Sequence, residues 1–63
     1  MNNEIYLDKK ELSKRFGTSL SWVDKAMAYD PDKLPAFIRF GRLVRFPIAE
    51  VLKFEQQQLL NTK

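Results

Sequence analysis

The chain has 63 residues, a formal net charge of +3, and neither cysteine nor histidine. This length accommodates a single domain, residues 1–63, and no second one. The composition excludes disulfides and argues against a structural zinc, so we expect no cofactor and look to the 44% apolar residues for stability. Because the commonest general base and the soft nucleophiles are missing, we expect no enzymatic activity.

The charge distribution suggests a polyanionic partner. Basic residues occur at positions 9–15 and again from Lys33 to Arg45, with aspartates between them. A basic face favours phosphate backbones, although a solvated helix surface is the simpler explanation for the first cluster alone. No apolar run reaches the length of a membrane span, and the first residues lack a signal-peptide pattern. We therefore expect a cytoplasmic protein without a membrane partner.

A short strand and a capped helix are predicted at the start of the chain. Residues 4–7 form an apolar entry segment, which we expect to pair with a later hairpin. Asp8 has the residue type of a helix N-cap, and Glu11, three residues later, completes a capping-box pattern. Gly17 predicts a left-handed cap that ends this helix after about two turns.

A second helix is predicted over residues 20–28, directly after this turn. Thr18 or Ser19 can cap its N-terminus, and Pro31 ends the helical stretch. Three residues at helical spacing form the expected inward face: Val23, Ala26 and Met27. Two short helices joined by a turn containing glycine are typical of a helix-turn-helix.

Residues 36–46 predict a β-hairpin, because two β-branched and aromatic runs flank Gly41. The hairpin holds no acidic residue and three of the chain's four arginines: Arg39, Arg42 and Arg45. A small basic hairpin after two short helices is typical of the wing of a winged helix-turn-helix. The predicted fold is therefore α+β and mainly α, a winged helix-turn-helix with three helices and a small antiparallel β-hairpin wing.

The register of this hairpin can also be predicted. A three-residue turn places Phe40 opposite Val44 and Arg39 opposite Arg45. The arginines then share one face, and the apolar residues share the other: Ile38, Phe40, Val44 and Phe46. A two-residue turn would mix these sets, so we expect the three-residue turn.

A third helix is predicted from Ile48 to Leu60, with Pro47 in a position suited to helix initiation. The helix is indicated by five residues at helical spacing, with Phe54 to one side: Ile48, Val51, Leu52, Glu55 and Leu59.

Several short motifs occur in a distinctive order along the chain. They are Glu11-Leu12, Gly17-Thr18-Ser19, Val23, Leu34-Pro35, Phe40-Gly41-Arg42 and Arg45-Phe46. Over roughly residues 5–54, this order resembles the excisionase-like branch of the MerR-type winged helix-turn-helix proteins. The resemblance implies a small DNA-binding accessory protein or regulator of a phage or mobile genetic element.

The resemblance also implies which residues contact DNA. The groove-facing second helix of the family matches Ser19, Leu20, Ser21, Trp22 and Lys25. The wing, which touches the backbone or minor groove, matches Arg39, Gly41, Arg42 and Arg45. One helix and one wing are a small interface, so useful affinity would require tandem copies or self-association on DNA.

Two aromatic residues leave the function open. Trp22 either closes the core beneath the N-terminal strand or lies on the surface, where it suits unpaired bases or a protein partner. Phe37 either lies exposed between arginines or packs against the last helix. The second helix lacks the arginine, asparagine or glutamine side chains that usually read base pairs. Both double-stranded and single-stranded DNA therefore remain candidate ligands.

A second function of a different class follows from the same residues. The chain could be a protein-interaction subunit that uses Trp22 and Phe37 to hold a larger enzyme of a mobile element, such as a recombinase, polymerase or helicase.

Overall fold

A computed structural model of the chain describes residues 5–61. The elements follow in the order β1 (Tyr6–Leu7), α1 (Lys9–Phe16), α2 (Leu20–Tyr29), a 3-10 turn (Pro31–Lys33), β2 (Ile38–Phe40), β3 (Leu43–Pro47) and α3 (Ile48–Asn61). Within these residues the chain is a small α+β domain, mainly helical, with three α-helices and a three-stranded antiparallel sheet. The predicted class and the three helices are confirmed.

The boundaries of α1 follow from its caps, as predicted. The Asp8 carboxylate accepts a hydrogen bond from the Glu11 backbone N–H at 2.7 Å, and the Glu11 side chain accepts one from the Asp8 N–H at 2.9 Å. These bonds satisfy two donors that a helix start leaves unpaired. Gly17 ends the helix in the left-handed region, at φ +73°.

The second helix is capped by Ser19, whose hydroxyl accepts a hydrogen bond from the Trp22 backbone N–H at 3.0 Å. It ends at Tyr29, one residue beyond the predicted boundary. The three residues predicted to face inward are buried or half-buried: Val23, Ala26 and Met27. The amphipathic pattern therefore predicted the packing of α2 correctly.

The sheet has the strand order β1-β3-β2. As predicted, the entry strand joins the hairpin: Leu7 pairs with Phe46, and Tyr6 with Pro47. The Ile48 N–H donates to the Ile5 carbonyl at 2.8 Å, which holds the start of α3 beside β1. Of the predicted strand 4–7, position 4 lies outside the described residues.

The predicted three-residue turn of the hairpin is wrong. The paired residues are Ile38 and Arg45, Arg39 and Val44, and Phe40 and Leu43. This register leaves a two-residue turn, Gly41 and Arg42. Gly41 has φ +60°, whereas Arg42 has no positive φ, which is the arrangement of a type II′ turn with glycine in the first position.

The corrected register mixes charged and apolar side chains on both faces of the hairpin. Directly paired residues share a face and successive residues alternate. Arg39 therefore lies on the inner face with Val44 and Phe46, and Arg45 lies on the outer face. The expected separation of charged from apolar side chains did not predict the register, because β2 is an edge strand whose three residues are all exposed. Burial in the core therefore determines only which residues of β3 face inward.

The core joins both helices of the N-terminal half to β3 and α3. Its fully buried members are Leu12, Val23, Phe46 and Val51, and its other apolar members are Ala26, Leu34 and Val44. The three helices and strands β1 and β3 thus each contribute to the core or pack against it, whereas β2 and the 3-10 turn contribute no residue to it. No helix within residues 5–61 combines the length and apolar character needed to cross a membrane.

The helix α3 is confirmed, but the residues whose spacing predicted it do not all face the core. Val51 is buried and Ile48 packs against the core, whereas Leu52 and Leu59 are 49% and 67% exposed. Phe54 instead stacks on Phe16 of α1, with the ring centroids 6.1 Å apart. The body therefore contacts the Phe54 side of α3, and the leucines face outward.

Candidate nucleic-acid interface

The predicted site residues of α2 lie on two flanks of the helix. Leu20 and Trp22 are two positions apart, which places them about 200° apart around the helix axis. Asp24 lies on the flank of Leu20, and Lys25 lies nearer to Trp22. The structure therefore divides the expected groove-facing set between two separate surfaces.

One of these surfaces is a groove between the hairpin tip, the N-terminus of α1 and the first residue of α2. We call it the basic groove. It is lined by Asp8, Lys9, Lys10, Leu20, Arg42, Leu43, Val44 and Arg45. Four of these side chains are cationic and one is acidic, so the groove is strongly positive.

The length of the strands creates this groove. The entry strand β1 pairs only with the last two residues of β3, Phe46 and Pro47. The first half of β3 therefore has no β1 partner beside it, and the chain turns away at Asp8 into α1. This brings the first turn of α1 alongside the hairpin tip.

The charges of the basic groove are largely unneutralised. The Asp8 carboxylate is held in the cap of α1, and Lys9 forms an ion pair with Asp24 at 2.7 Å. The other ion pairs within residues 5–61 join Arg15 to Glu55 and Lys33 to Asp30. Three cations of the groove thus lack an acidic partner in the described part of the chain: Lys10, Arg42 and Arg45.

Arg45 is held in place by its own strand. Its guanidinium donates to the Val44 carbonyl at 2.8 Å, and the residue is half-buried. Arg42 stands at the exposed turn. A guanidinium presents several donors in a fixed plane, so even with one of them engaged Arg45 keeps others for an anion.

The N-terminus of α2 adds to the positive character of the basic groove. Leu20 is the first residue of α2 and lines the groove. The start of a helix carries partial positive charge from its unpaired N–H groups. Ser19 is committed to the cap, and Ser21 is exposed next to it. Leu20 therefore lines the groove, and Ser19 and Ser21 are its neighbours in the chain.

Arg39 does not join this cluster. Because it pairs with Val44, its side chain leaves the hairpin from the face opposite to that of Arg45. The prediction that the two arginines share one face is wrong. Gly41 serves the turn geometry, which positions Arg42.

The other surface, on the opposite flank of α2, is an open depression between α1, α2 and α3 that we call the aromatic groove. It is lined by Phe16, Thr18, Trp22, Asp32, Lys33, Phe54, Glu55 and Gln58. Trp22 is 37% exposed and is not part of the core cluster. Of the two predicted positions for Trp22, the structure therefore shows the one on the surface, and Trp22 does not close the core beneath β1.

An ion pair joins the helices at the side of the aromatic groove. The Arg15 guanidinium donates to both carboxylate oxygens of Glu55, at 2.7 and 3.0 Å. These hydrogen bonds hold the pKa of Glu55 below its ordinary value and raise the pKa of Arg15. Both charges are thereby neutralised, unlike those of the hairpin arginines.

Two further predicted residues lie away from the basic groove. Lys25 is exposed and, with Trp22 and Tyr29, lines a depression that continues the aromatic groove. Phe37 is half-buried, and its ring lies 5.4 Å from that of Phe46. Phe37 packs against the inner face of the hairpin, so it is not an exposed aromatic between two arginines.

The contribution of α1 to the site was not predicted from the sequence. A solvated helix surface is the simpler explanation for the first basic cluster, yet Lys9 and Lys10 of that cluster both line the basic groove. The signal was available in the pairing of residues 4–7 with the hairpin, because a helix that starts directly after that strand must begin near the hairpin. The correct hairpin register was needed to see which arginines it would meet.

No protein-family model, curated protein or solved structure matches the chain. Within residues 5–61 there is no group of three or more acidic side chains that could hold a metal ion. The basic groove presents guanidinium and ammonium donors beside a helix start, and such donors are able to bind an anion.

Proposed function

We propose that the protein is a small DNA-binding accessory protein or regulator that holds the phosphate backbone in its basic groove. The observation that carries this proposal is the convergence of Lys10, Arg42 and Arg45 on one groove without acidic partners among the described residues. Cations left unpaired in this way gain from displacing counterions on a polyanion.

In this proposal the domain is a winged helix-turn-helix. Helices α1 and α2 form the helix-turn-helix, and β2 and β3 form the wing. The N-terminal turn of α2 approaches the DNA groove, while Arg42 and Arg45 contact phosphates. The resemblance of the sequence to excisionase-like proteins supports this assignment and suggests a phage or mobile genetic element as its setting.

The test compares two double variants that remove the same charge from the two flanks of α2. In Arg42→Ala/Arg45→Ala, loss of two phosphate contacts should weaken binding to a random 20-base-pair duplex about a hundredfold, at roughly 1.4 kcal/mol each. The slope of log affinity against log salt should fall by about 1.8, or roughly 0.9 per contact. Fluorescence anisotropy between 50 and 300 mM salt measures both quantities.

The matched control is Lys25→Ala/Lys33→Ala, which lies along the aromatic groove. It should change affinity by less than about threefold at 0.15 M salt, because exposed charges away from the interface are screened. Equal losses in the two double variants would show that binding follows net charge and not the basic groove. Circular dichroism melting curves verify that both variants fold.

A second candidate function rests on the aromatic groove. Trp22 is exposed there beside the stacked pair of Phe16 and Phe54, and exposed aromatic residues of this kind anchor protein partners. We infer an alternative role in which the domain assists a recombinase, polymerase or helicase of the same element. Co-purification of such an enzyme with the wild type, and its loss with Trp22→Ala but not with Phe40→Ala, which removes an exposed aromatic residue of the hairpin, would support this role.

A further inference from the structure

The outer face of the sheet is apolar and exposed. We define it by the outward residues of the three strands: Tyr6, Ile38, Phe40, Leu43, Arg45 and Pro47. The first four are 44%, 38%, 54% and 54% exposed, respectively. The other face of the sheet covers the core, so the two-residue turn places these side chains outward.

The charge on this face is positive without exception. The three strands contain no acidic residue. Arg45 lies in the middle of the face, paired with Ile38, and Arg42 stands in the turn at its end. An apolar surface with a cationic centre selects against a cationic or purely aliphatic partner and favours an anionic one with flat apolar groups.

A second copy of this chain is a poor match for the face. In a two-fold symmetric dimer the same patch meets itself, which would bring the central Arg45 residues of the two copies near each other. Like charges in such positions are destabilising. The face is therefore better complemented by a negatively charged partner.

Unpaired nucleotides have this chemistry. Each base offers an apolar face for stacking on an aromatic side chain, and each phosphate offers an anion to a guanidinium. Because β1 and β2 pair with opposite ends of β3, the outer face is two strands wide at each level and extends about 14 Å along β3, from Phe40 and Leu43 at one end to Tyr6 and Pro47 at the other. In a duplex the bases are already stacked, so only an unpaired strand can use this surface.

The outer face is also continuous with the basic groove. Leu43 and Arg45 belong to both, and Arg42 lies at the junction. A strand whose phosphates lie in the groove can therefore turn its bases onto the sheet. We propose that the outer sheet face binds the bases of single-stranded nucleic acid, with Phe40 and Tyr6 as stacking side chains. This inference rests on the proposed function of the basic groove.

The test separates base contacts from phosphate contacts. The probes are a fluorescein-labelled 15-nucleotide oligothymidine and a strand of the same length with abasic residues throughout. The wild type should bind oligothymidine about tenfold more tightly than the abasic strand. Phe40→Ala should remove most of this preference and leave binding to the abasic strand unchanged. Phe40→Tyr should keep the preference, since it retains an aromatic ring.

The control variant is Tyr29→Ala, which removes an exposed aromatic residue of α2 and should keep the preference. If the wild type binds both strands equally, the base contacts do not exist, although phosphate binding in the basic groove stands. If neither strand binds while the 20-base-pair duplex does, the inference fails and the proposed function stands; if the duplex does not bind either, the proposed function itself fails. Dimerisation of the wild type in sedimentation experiments that disappears in Phe40→Ala would identify the face as a contact between copies and overturn the inference.

Discussion

The two flanks of α2 carry different chemistry although they belong to one ten-residue helix. On the Leu20 flank, the basic groove has cations without acidic partners in the described region. On the Trp22 flank, aromatic rings lie beside Glu55, whose charge Arg15 neutralises. A single helix therefore contributes to two different surfaces. The charge and polarity of each flank depend on the element packed beside it.

Phe46→Ala should have the largest effect, because it removes the support shared by both flanks. Phe46 is fully buried, pairs with Leu7 and packs against Phe37. Loss of such a side chain costs about 3–5 kcal/mol, which is a large part of the free energy of unfolding of a domain this small. Urea denaturation should show the variant largely unfolded, with both grooves lost together.

The control is Leu59→Ala, at an exposed position of α3. It should shift the free energy of unfolding by less than about 0.5 kcal/mol. If Phe46→Ala remained as stable as this control, the packing described for β3 would be incorrect.

Asp24→Asn should increase the positive charge of the basic groove relative to the aromatic groove. Asp24 is the acidic residue that pairs with Lys9 of the basic groove, at 2.7 Å. Its replacement frees Lys9 and removes a negative charge from the groove's edge. We expect duplex affinity to rise about threefold, and the salt slope to steepen by up to about 0.9 if Lys9 gains one phosphate contact. Stability should change by no more than about 1 kcal/mol, because the pair is exposed.

The matched variant is Asp32→Asn, which removes the same charge from the aromatic groove. Its DNA affinity should stay close to that of the wild type. An equal rise in both variants would mean that overall charge, and not the site of the charge, controls binding.

Glu55→Gln should have the smallest effect and should be confined to stability. The ion pair with Arg15 is more than a third exposed, so its loss should cost less than about 1 kcal/mol at neutral pH. Because the folded state lowers the pKa of Glu55, this contribution is complete above the ordinary glutamate pKa. It disappears as the pH falls through the lowered value.

Urea denaturation of the wild type and Glu55→Gln at several pH values checks this prediction. The two stability curves should converge in acid, and duplex affinity at neutral pH should be equal. A stability difference that persists unchanged at low pH would assign the effect to packing and not to the ion pair.

Local signals in the sequence predicted the elements well. Asp8, Glu11 and Gly17 determine where α1 begins and ends through hydrogen bonds within a few residues, so their roles are visible without tertiary information. The spacing of Val23 and Ala26 likewise predicted the buried side of α2. These features depend on residues a few positions apart, so they can be predicted from the local sequence alone.

The candidate site was less predictable because it depends on register and on which side of an element is covered. A single-residue difference in the hairpin turn moved Arg39 away from Arg45 and turned Phe40 outward. Helical spacing alone does not say which apolar side of α3 contacts the rest of the domain, and Leu52 lies on the exposed side. Lys10 lies at the site because β1 pairs with β3 and thereby places the start of α1 beside the hairpin. This contact joins residues far apart in sequence.

The most direct test of the basic groove is a titration of the ¹⁵N-labelled protein with a short oligonucleotide, followed by nuclear magnetic resonance. The account predicts the largest backbone amide shifts at Asp8 to Lys10, Ser19 to Ser21 and Arg42 to Arg45. The Trp22 indole N–H and the amides of Tyr29 and Lys33 should remain nearly unchanged. Shifts concentrated on Trp22 and its neighbours, with the hairpin tip unaffected, would contradict it.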